Sequence, residues 1–273
     1  MKNAEPEPSP GAVRCGAPHD PRKADPACDG SAAVAPSLPV ISKYIASCGV
    51  ASRRAAAELV KAGRAAVNGV PVSDPSVRIK SDDKVTVDGK PVSPEPVKYY
   101  VMLNKPRGYV CTGADPHAGK RAVDLIDLPA RLVSAGRLDK DSEGLIIFSN
   151  DGDYINRLAH PSFQVLKVYR VRLSRELSDS EIATLKNGIR DNGELLRPED
   201  VSPVGERLYT FTLNEGRNRE IRRMAAFFGI EVNRLVRLSV GRLSLGNLPP
   251  GHWRRLSPAE ISASAEGSVC DKE

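Results

Sequence analysis

The run Gly136-Arg137-Leu138-Asp139-Lys140-Asp141-Ser142-Glu143-Gly144-Leu145 constrains this 273-residue chain more than any other stretch. Glycine bounds it at both sides, which permits a tight backbone turn. It leads directly into Leu145-Ile146-Ile147-Phe148, an apolar segment that reads as a strand. A charged turn anchored to a buried strand holds its side chains still, as a reactive group requires. Asp139 is the carboxylate best placed for that role, whereas Asp141 and Glu143 read as loop charges. Taken alone, an acidic turn before a strand is most often a solvated connection.

A second segment shifts that balance. Asn218 fits an N-cap and Gly229 a C′ stop, so the residues between them read as a helix. Ile221, Met224, Ala225 and Phe228 fall at i, i+3, i+4 and i+7, a core-facing stripe. Arg222 lies about 100° from Ile221 on the helical wheel, at the edge of that stripe. A half-sheltered arginine calls for a carboxylate or phosphate partner. Arg219 and Arg223 point further outward.

The formal net charge is +6. Arginines concentrate at Arg217, Arg219, Arg222, Arg223, Arg234, Arg237, Arg242, Arg254 and Arg255, a footprint of phosphate binding that competes with a merely solvated face. With one Trp and 5% aromatic residues, a broad platform for stacking single strands is not indicated. The five cysteines form no C-x-x-C and the four histidines do not cluster with them, so neither zinc nor a disulfide framework is expected. Reduced thiols fit a cytoplasmic protein. No apolar run reaches membrane-spanning length, and the N-terminus lacks a hydrophobic signal core. Residues 113–120 have the wrong spacing for a phosphate loop, with Arg121 where Ser or Thr is needed, which excludes a nucleotide cofactor.

Residues 1–38, rich in Pro and Ala, read as a disordered tail. A small domain is expected over 39–90. Ile41, Tyr44, Ile45 and Cys48 mark one helix face, Gly49 ends that helix, and Ser52 caps a second one carrying Leu59 and Val60 inward. Asn68-Gly69 and Asp88-Gly89, flanked by β-branched residues, mark two hairpins. Residues 91–97 form a Pro-rich linker. From 98 to 262, strand patterns at 99–103, 145–148, 168–173, 208–213 and 235–240 alternate with helical ones such as 180–188. This is an α+β arrangement around a mostly antiparallel sheet. Residues 263–273 read as a flexible C-terminal tail.

These segments resemble the RsuA-type (RsuA/RluB-like) family of ribosomal RNA pseudouridine synthases. The likeness rests on the Gly136 to Leu145 run with Asn150-Asp151-Gly152, on Lys167-Val168-Tyr169-Arg170-Val171, on Glu215 through Met224, and on Leu248-Pro249-Pro250-Gly251-His252-Trp253-Arg254. It extends from about residue 40 to 260. The helix-helix-hairpin region is similar to the small RNA-binding domain of the ribosomal protein S-four type, with Arg53 and Arg54 opening its second helix. Positive charge at a helix N-terminus opposes the macrodipole, and phosphate contacts would compensate.

The resemblance implies cofactor-free isomerisation of uridine to pseudouridine in ribosomal RNA. The base leaves the ribose, rotates and rejoins through carbon. Asp139 would act at the ribose, as nucleophile or as base. Arg222 would be its partner, favouring the carboxylate anion. Tyr169 would pack on the flipped uracil, and its hydroxyl is a candidate for proton removal at carbon five. Arg137 would either fill the gap in the stack or hold a phosphate. Lys105, Arg107, Arg219 and Arg223, with Arg53 and Arg54, are further RNA-binding candidates. The implied partner is ribosomal RNA within a pre-ribosomal particle, met by a monomer.

Three positions depart from the usual family pattern. Val40-Ile41-Ser42 stands where a basic residue is common, Glu220 stands where Gln is usual, and Ser134-Ala135 replaces Pro-Val. A catalytically inactive RNA-binding assembly factor would share the basic surface, but it would need no combination of Asp139, Tyr169 and Arg222. A paired-carboxylate glycoside hydrolase would need carboxyls about 5–9.5 Å apart and usually aromatic sugar platforms, which the scarcity of aromatics disfavours.

Overall fold

The structure, a computed structural model, describes residues 38–112 and 119–265. Most of the two expected tails, and most of the rejected phosphate loop, lie outside the described residues.

Helices α1 (Ile41–Ser47) and α2 (Arg53–Lys61) come first. The Ser52 side chain accepts the Ala55 N–H at 3.1 Å, capping α2 as its sequence suggests. Strands β1 (Ala65–Val67), β2 (Val70–Val72), β3 (Val85–Val87) and β4 (Lys90–Val92) form a sheet of order β2-β1-β3-β4. Both tight turns place two residues at positive φ, Asn68 and Gly69 at 52° and 83°, Asp88 and Gly89 at 50° and 74°. That is the hairpin geometry such pairs favour. Ile41, Ile45, Ala56, Val60, Val85 and Val87 bury a separate small core between these helices and strands.

The remaining elements are β5 (Tyr100–Lys105), β6 (Val133–Ser134), β7 (Glu143–Ser149), α3 (Gly152–Ala159), β8 (Lys167–Leu173) and α4 (Asp179–Asn187). After them come β9 (Ile189–Asp191), β10 (Glu194–Leu196), β11 (Asp200–Gly205), β12 (Leu208–Leu213) and α5 (Glu220–Phe227). The last are β13 (Val232–Val240), β14 (Leu243–Ser244), β15 (Trp253–Arg255) and α6 (Pro258–Ala265). A nine-stranded sheet runs β11-β12-β8-β13-β7-β5-β15, with β14 beside β13 and β6 beside β7. Its pairs are antiparallel except β13 with β7, so the fold is α+β with a mostly antiparallel sheet.

The uninterrupted apolar run of β7 follows from burial on both faces. Ile146 and Phe148 join one core with Ile221 and Met224 of α5 and Leu185 of α4. Leu145 and Ile147 join the other with Tyr154 and Leu158 of α3. Each such side chain contributes roughly 1.5–3 kcal/mol on full burial. The sheet's edges are blunted, β11 by Pro203 and β15 by Arg254 and Arg255.

The small and large parts also touch. Lys43 Nζ lies 2.6 Å from Asp153 Oδ1, and Asn150 Nδ2 donates to Glu95 Oε2 at 2.6 Å.

Candidate active site

Strands β7 and β13 are parallel neighbours, with Glu143 opposite Val236 and Gly144 opposite Arg237. The turn entering β7 and the helix preceding β13 therefore arrive at the same end of the sheet. This topology gathers groups far apart in sequence.

The turn is closed by the Ser142 N–H donating to the Asp139 carbonyl at 3.0 Å. Gly144 follows at φ +104°, and a Cβ there would stand 2.3 Å from the Arg237 carbonyl oxygen and 2.6 Å from its nitrogen. No larger residue fits without moving a strand. Arg237 in turn faces Tyr169 on β8, so Gly144, Arg237 and Tyr169 lie in one cross-strand row. Asp139, Ser142, Tyr169, Arg219, Glu220 and Arg222 all line one cleft of about 210 Å³.

Tyr169 is 7% exposed, its ring set in the core that also holds Ile221 and Leu235. Arg222 ties the two sides of the cleft together. Its Nη1 donates to the Val232 carbonyl at 3.0 Å and its Nη2 to the Asp141 carbonyl at 3.3 Å. Burial pulls its pKa below the ordinary arginine value, Arg219 acts in the same direction, and Asp139 opposes both. The direct partnership expected between Arg222 and Asp139 takes another form. Arg222 reaches the cleft but engages main-chain carbonyls, and the guanidinium within ion-pairing reach of Asp139 is that of Arg219, Nη1 to Oδ2 at 4.0 Å.

Helix α5 begins later than its sequence suggests. The residue at its N-cap is Arg219, not Asn218, and it lies in the left-handed region at φ 49°, ψ 32° with no side-chain cap. Ile221, Met224 and Ala225 are buried as the stripe requires, and Gly229 follows the helix at φ +66°.

Two expected RNA contacts are corrected. Lys105 is 0% exposed, because β5 runs past residue 103 and carries it inward. Its ammonium donates to the carbonyls of Ser142 at 2.6 Å, Pro106 at 3.1 Å and Lys140 at 3.4 Å, holding the Asp139 turn from behind. Burial lowers its pKa, partly offset by neighbouring acidic groups including Asp139 and Glu143. Arg223, its side chain 20% exposed, pairs with Asp191 and, at 2.6 Å, with Glu194. It latches the β9–β10 hairpin onto α5 instead of facing solvent.

Other candidates lie where a polyanion could reach them. Arg137 is exposed and makes no hydrogen bond or ion pair among the described residues. The Arg107 side chain is 63% exposed, 3.8 Å from Asp141. Arg53 and Arg54 are exposed in the first turn of α2, which holds no acidic residue.

Three groups escaped the sequence reading of the site. Ser142 and Arg237 are buried polar residues beside the cleft, and Glu220, expected as a charge near Arg219 and Arg223, is buried at 3% exposure. Burial raises the Glu220 pKa. The signal available was position alone: Glu220 and Arg237 sit next to apolar stripe or strand residues and Ser142 just before β7, and only register decides which way each faces.

The RNA pseudouridylate synthase family pattern matches residues 99–227, and the S4 domain pattern matches 41–85. An RNA pseudouridine synthase of Aquifex aeolicus is 38% identical over 229 residues, covering 81% of this chain and 92% of that protein. The chain belongs to the RsuA-type family of RNA pseudouridine synthases. A relative in Bacillus subtilis, named ribosomal large subunit pseudouridine synthase B, is 34% identical over 233 residues, covering 81% of this chain and 93% of its own. A solved pseudouridylate synthase superposes with TM-score 0.62 at 29% identity, over 82% of this chain and 99% of that one. As a pseudouridine synthase, the chain is an RNA-modifying isomerase, and the cleft at the β7–β13 junction is the candidate place for its chemistry.

Proposed function

We propose that this pseudouridine synthase acts on a uridine of ribosomal RNA, in the cytoplasm, as a monomer meeting its substrate within a pre-ribosomal particle. The name of the Bacillus subtilis relative favours the large subunit over the small. Residues 39–90 serve as the RNA-binding domain, 91–97 as linker and 98–262 as the catalytic domain. The observation that carries the reading is one cleft lined by Asp139, Tyr169 and Arg222 and bordered by the exposed Arg137.

The target base is hidden in folded RNA and must be flipped out, at a cost of a few kcal/mol. Exposed Arg137 is free either to occupy the vacated place or to hold a phosphate. Arg53, Arg54 and Arg107 supply positive charge for the backbone. With the nucleotide extruded, Asp139 acts at the ribose as nucleophile or base while the N1–C1′ bond breaks. The base turns, C5 joins C1′, C5 loses its proton and N1 gains one. Tyr169 packs on the uracil, and Arg222 keeps the turn and the β13 end in register. The balance needs no electron acceptor and no group donor.

Asp139→Asn tests the reading. It should abolish pseudouridine formation, measured by carbodiimide and reverse-transcription mapping, while RNA affinity stays within about threefold. Retained activity would remove Asp139 from the reaction.

A further inference from the structure

Among the described residues, four side-chain atoms are buried without a hydrogen-bond partner: Ser142 Oγ, Glu220 Oε1, Arg222 Nε and Arg237 Nη2. Ser142, Glu220 and Arg222 line the cleft described above. Concentrated there, unsatisfied polar groups mark a region held in shape against its own preferences.

Glu220 is the one whose geometry explains something about its neighbours. It opens α5, and its carboxyl reaches back three residues, where Oε2 accepts the Arg217 N–H at 3.0 Å. The Glu220 N–H donates to the Arg217 carbonyl at 3.4 Å, so both main-chain polar groups of Arg217, at the start of the short turn 217–219, are tied to one residue. That turn ends in Arg219 at φ 49°, a conformation that a side chain larger than glycine resists. It adopts it here with no cap of its own. The result is a guanidinium delivered to 4.0 Å from Asp139.

We propose that Glu220 is a positioning residue for the isomerisation, whose buried side chain clamps the Arg217 amide so that the 217–219 turn presents Arg219 to Asp139. The inference rests on the reading of Asp139 as the reacting carboxylate. Glu220 acts through Arg219, not on the substrate. The clamp needs an sp² oxygen, which a carboxamide supplies as well as a carboxyl does. Burial favours the neutral form of the acid, so loss of charge on its own should matter little.

The experiment compares Glu220→Met, which keeps length but removes the acceptor, with Glu220→Gln, which keeps it. The substrate is ribosomal RNA isolated from cells lacking the protein, and kcat, KM and the thermal midpoint are measured. The Met variant should lose about tenfold or more in kcat with KM within about twofold, since misplacing a catalytic group acts on the chemical step. The Gln variant should stay within about threefold of the parent in kcat. In an Arg219→Ala background the Met substitution should add nothing, because both changes remove one interaction. A Met variant with parental kcat, a Gln variant as impaired as Met, or additive losses with Arg219→Ala would each overturn the clamp. Should the Met variant not fold, a Gln variant tenfold down would overturn it and one with parental kcat would support it. Failure of the clamp leaves the Asp139→Asn result untouched, and retained activity in that variant overturns the catalytic reading itself.

Discussion

Gly144 shows how narrowly single atoms govern this site. Its φ of +104° and the 2.3 Å that would separate an added Cβ from the Arg237 carbonyl oxygen act together. Gly144→Ala should therefore destabilise the protein by about 1–3 kcal/mol. It should also lower kcat, because the Asp139 turn enters β7 through this residue. Urea unfolding with an unchanged m-value, alongside steady-state assays, would check both parts. Lys105 makes the complementary point. A lone lysine beside a Pro-Arg-Gly corner gives no hint in the sequence of pointing inward, yet three carbonyls around its ammonium offset the loss of water. Read from residue type, it belonged to the RNA surface; the extra length of β5 put it in the interior.

At the scale of elements, β8 carries a half-buried lysine. Lys167 Nζ donates to the Val165 carbonyl at 2.7 Å and the Asn214 carbonyl at 3.4 Å. Burial, reinforced by Arg237, pulls its pKa from 10.5 down to about 8, and Glu220 and Glu215 resist the change. In the unfolded chain the group keeps its proton up to about 10.5, so between about 8 and 10.5 the unfolded state binds more protons. Stability attributable to Lys167 therefore rises with pH across that window, and its full penalty applies below about 8. The unfolding free energy of the parent relative to Lys167→Met should climb by about 1–3 kcal/mol from pH 7 to pH 10. Urea midpoints measured on both proteins over that range would check it, and a flat difference would show that Lys167 titrates normally. Helix α5 illustrates what periodicity does and does not reveal. Its stripe of Ile221, Met224 and Ala225 was legible, but its start was not. Asn218 has the chemistry of a cap, yet the Glu220 side chain holds the Arg217 amide and moves the first turn to Arg219. Arg223 faces outward on a bare helix, and only the β9–β10 hairpin, too short and polar to stand out in the sequence, covers it with Asp191 and Glu194.

For the molecule as a whole, the proposed RNA contacts are divided between two parts. The exposed Arg53 and Arg54 stand on the small domain, while Arg137 borders the cleft and Arg107 stands 3.8 Å from Asp141. If Arg53 and Arg54 each hold a phosphate, changing both to Ala should reduce the slope of log K against log salt by about 1.4–1.8, while kcat at saturating RNA is preserved. Filter binding at several salt concentrations would check this, and an unchanged slope would count against the small domain as a clamp on the backbone.

The sequence by itself determined the two leading helices, five strands of the large sheet, the two hairpin turns, the apolar character of β7 and the stripe of α5. Each depends on local rules: side-chain periodicity, glycine's access to positive φ, and capping chemistry. It also identified the family, because several motifs recur together in order. Only the tertiary structure decided which charged residues stay exposed and which face the interior. That choice depends on the parallel register of β7 beside β13, which brings the Asp139 turn and α5 to one end of the sheet. Register is a contact between distant segments, and no local pattern encodes which polar side chain such a contact will bury.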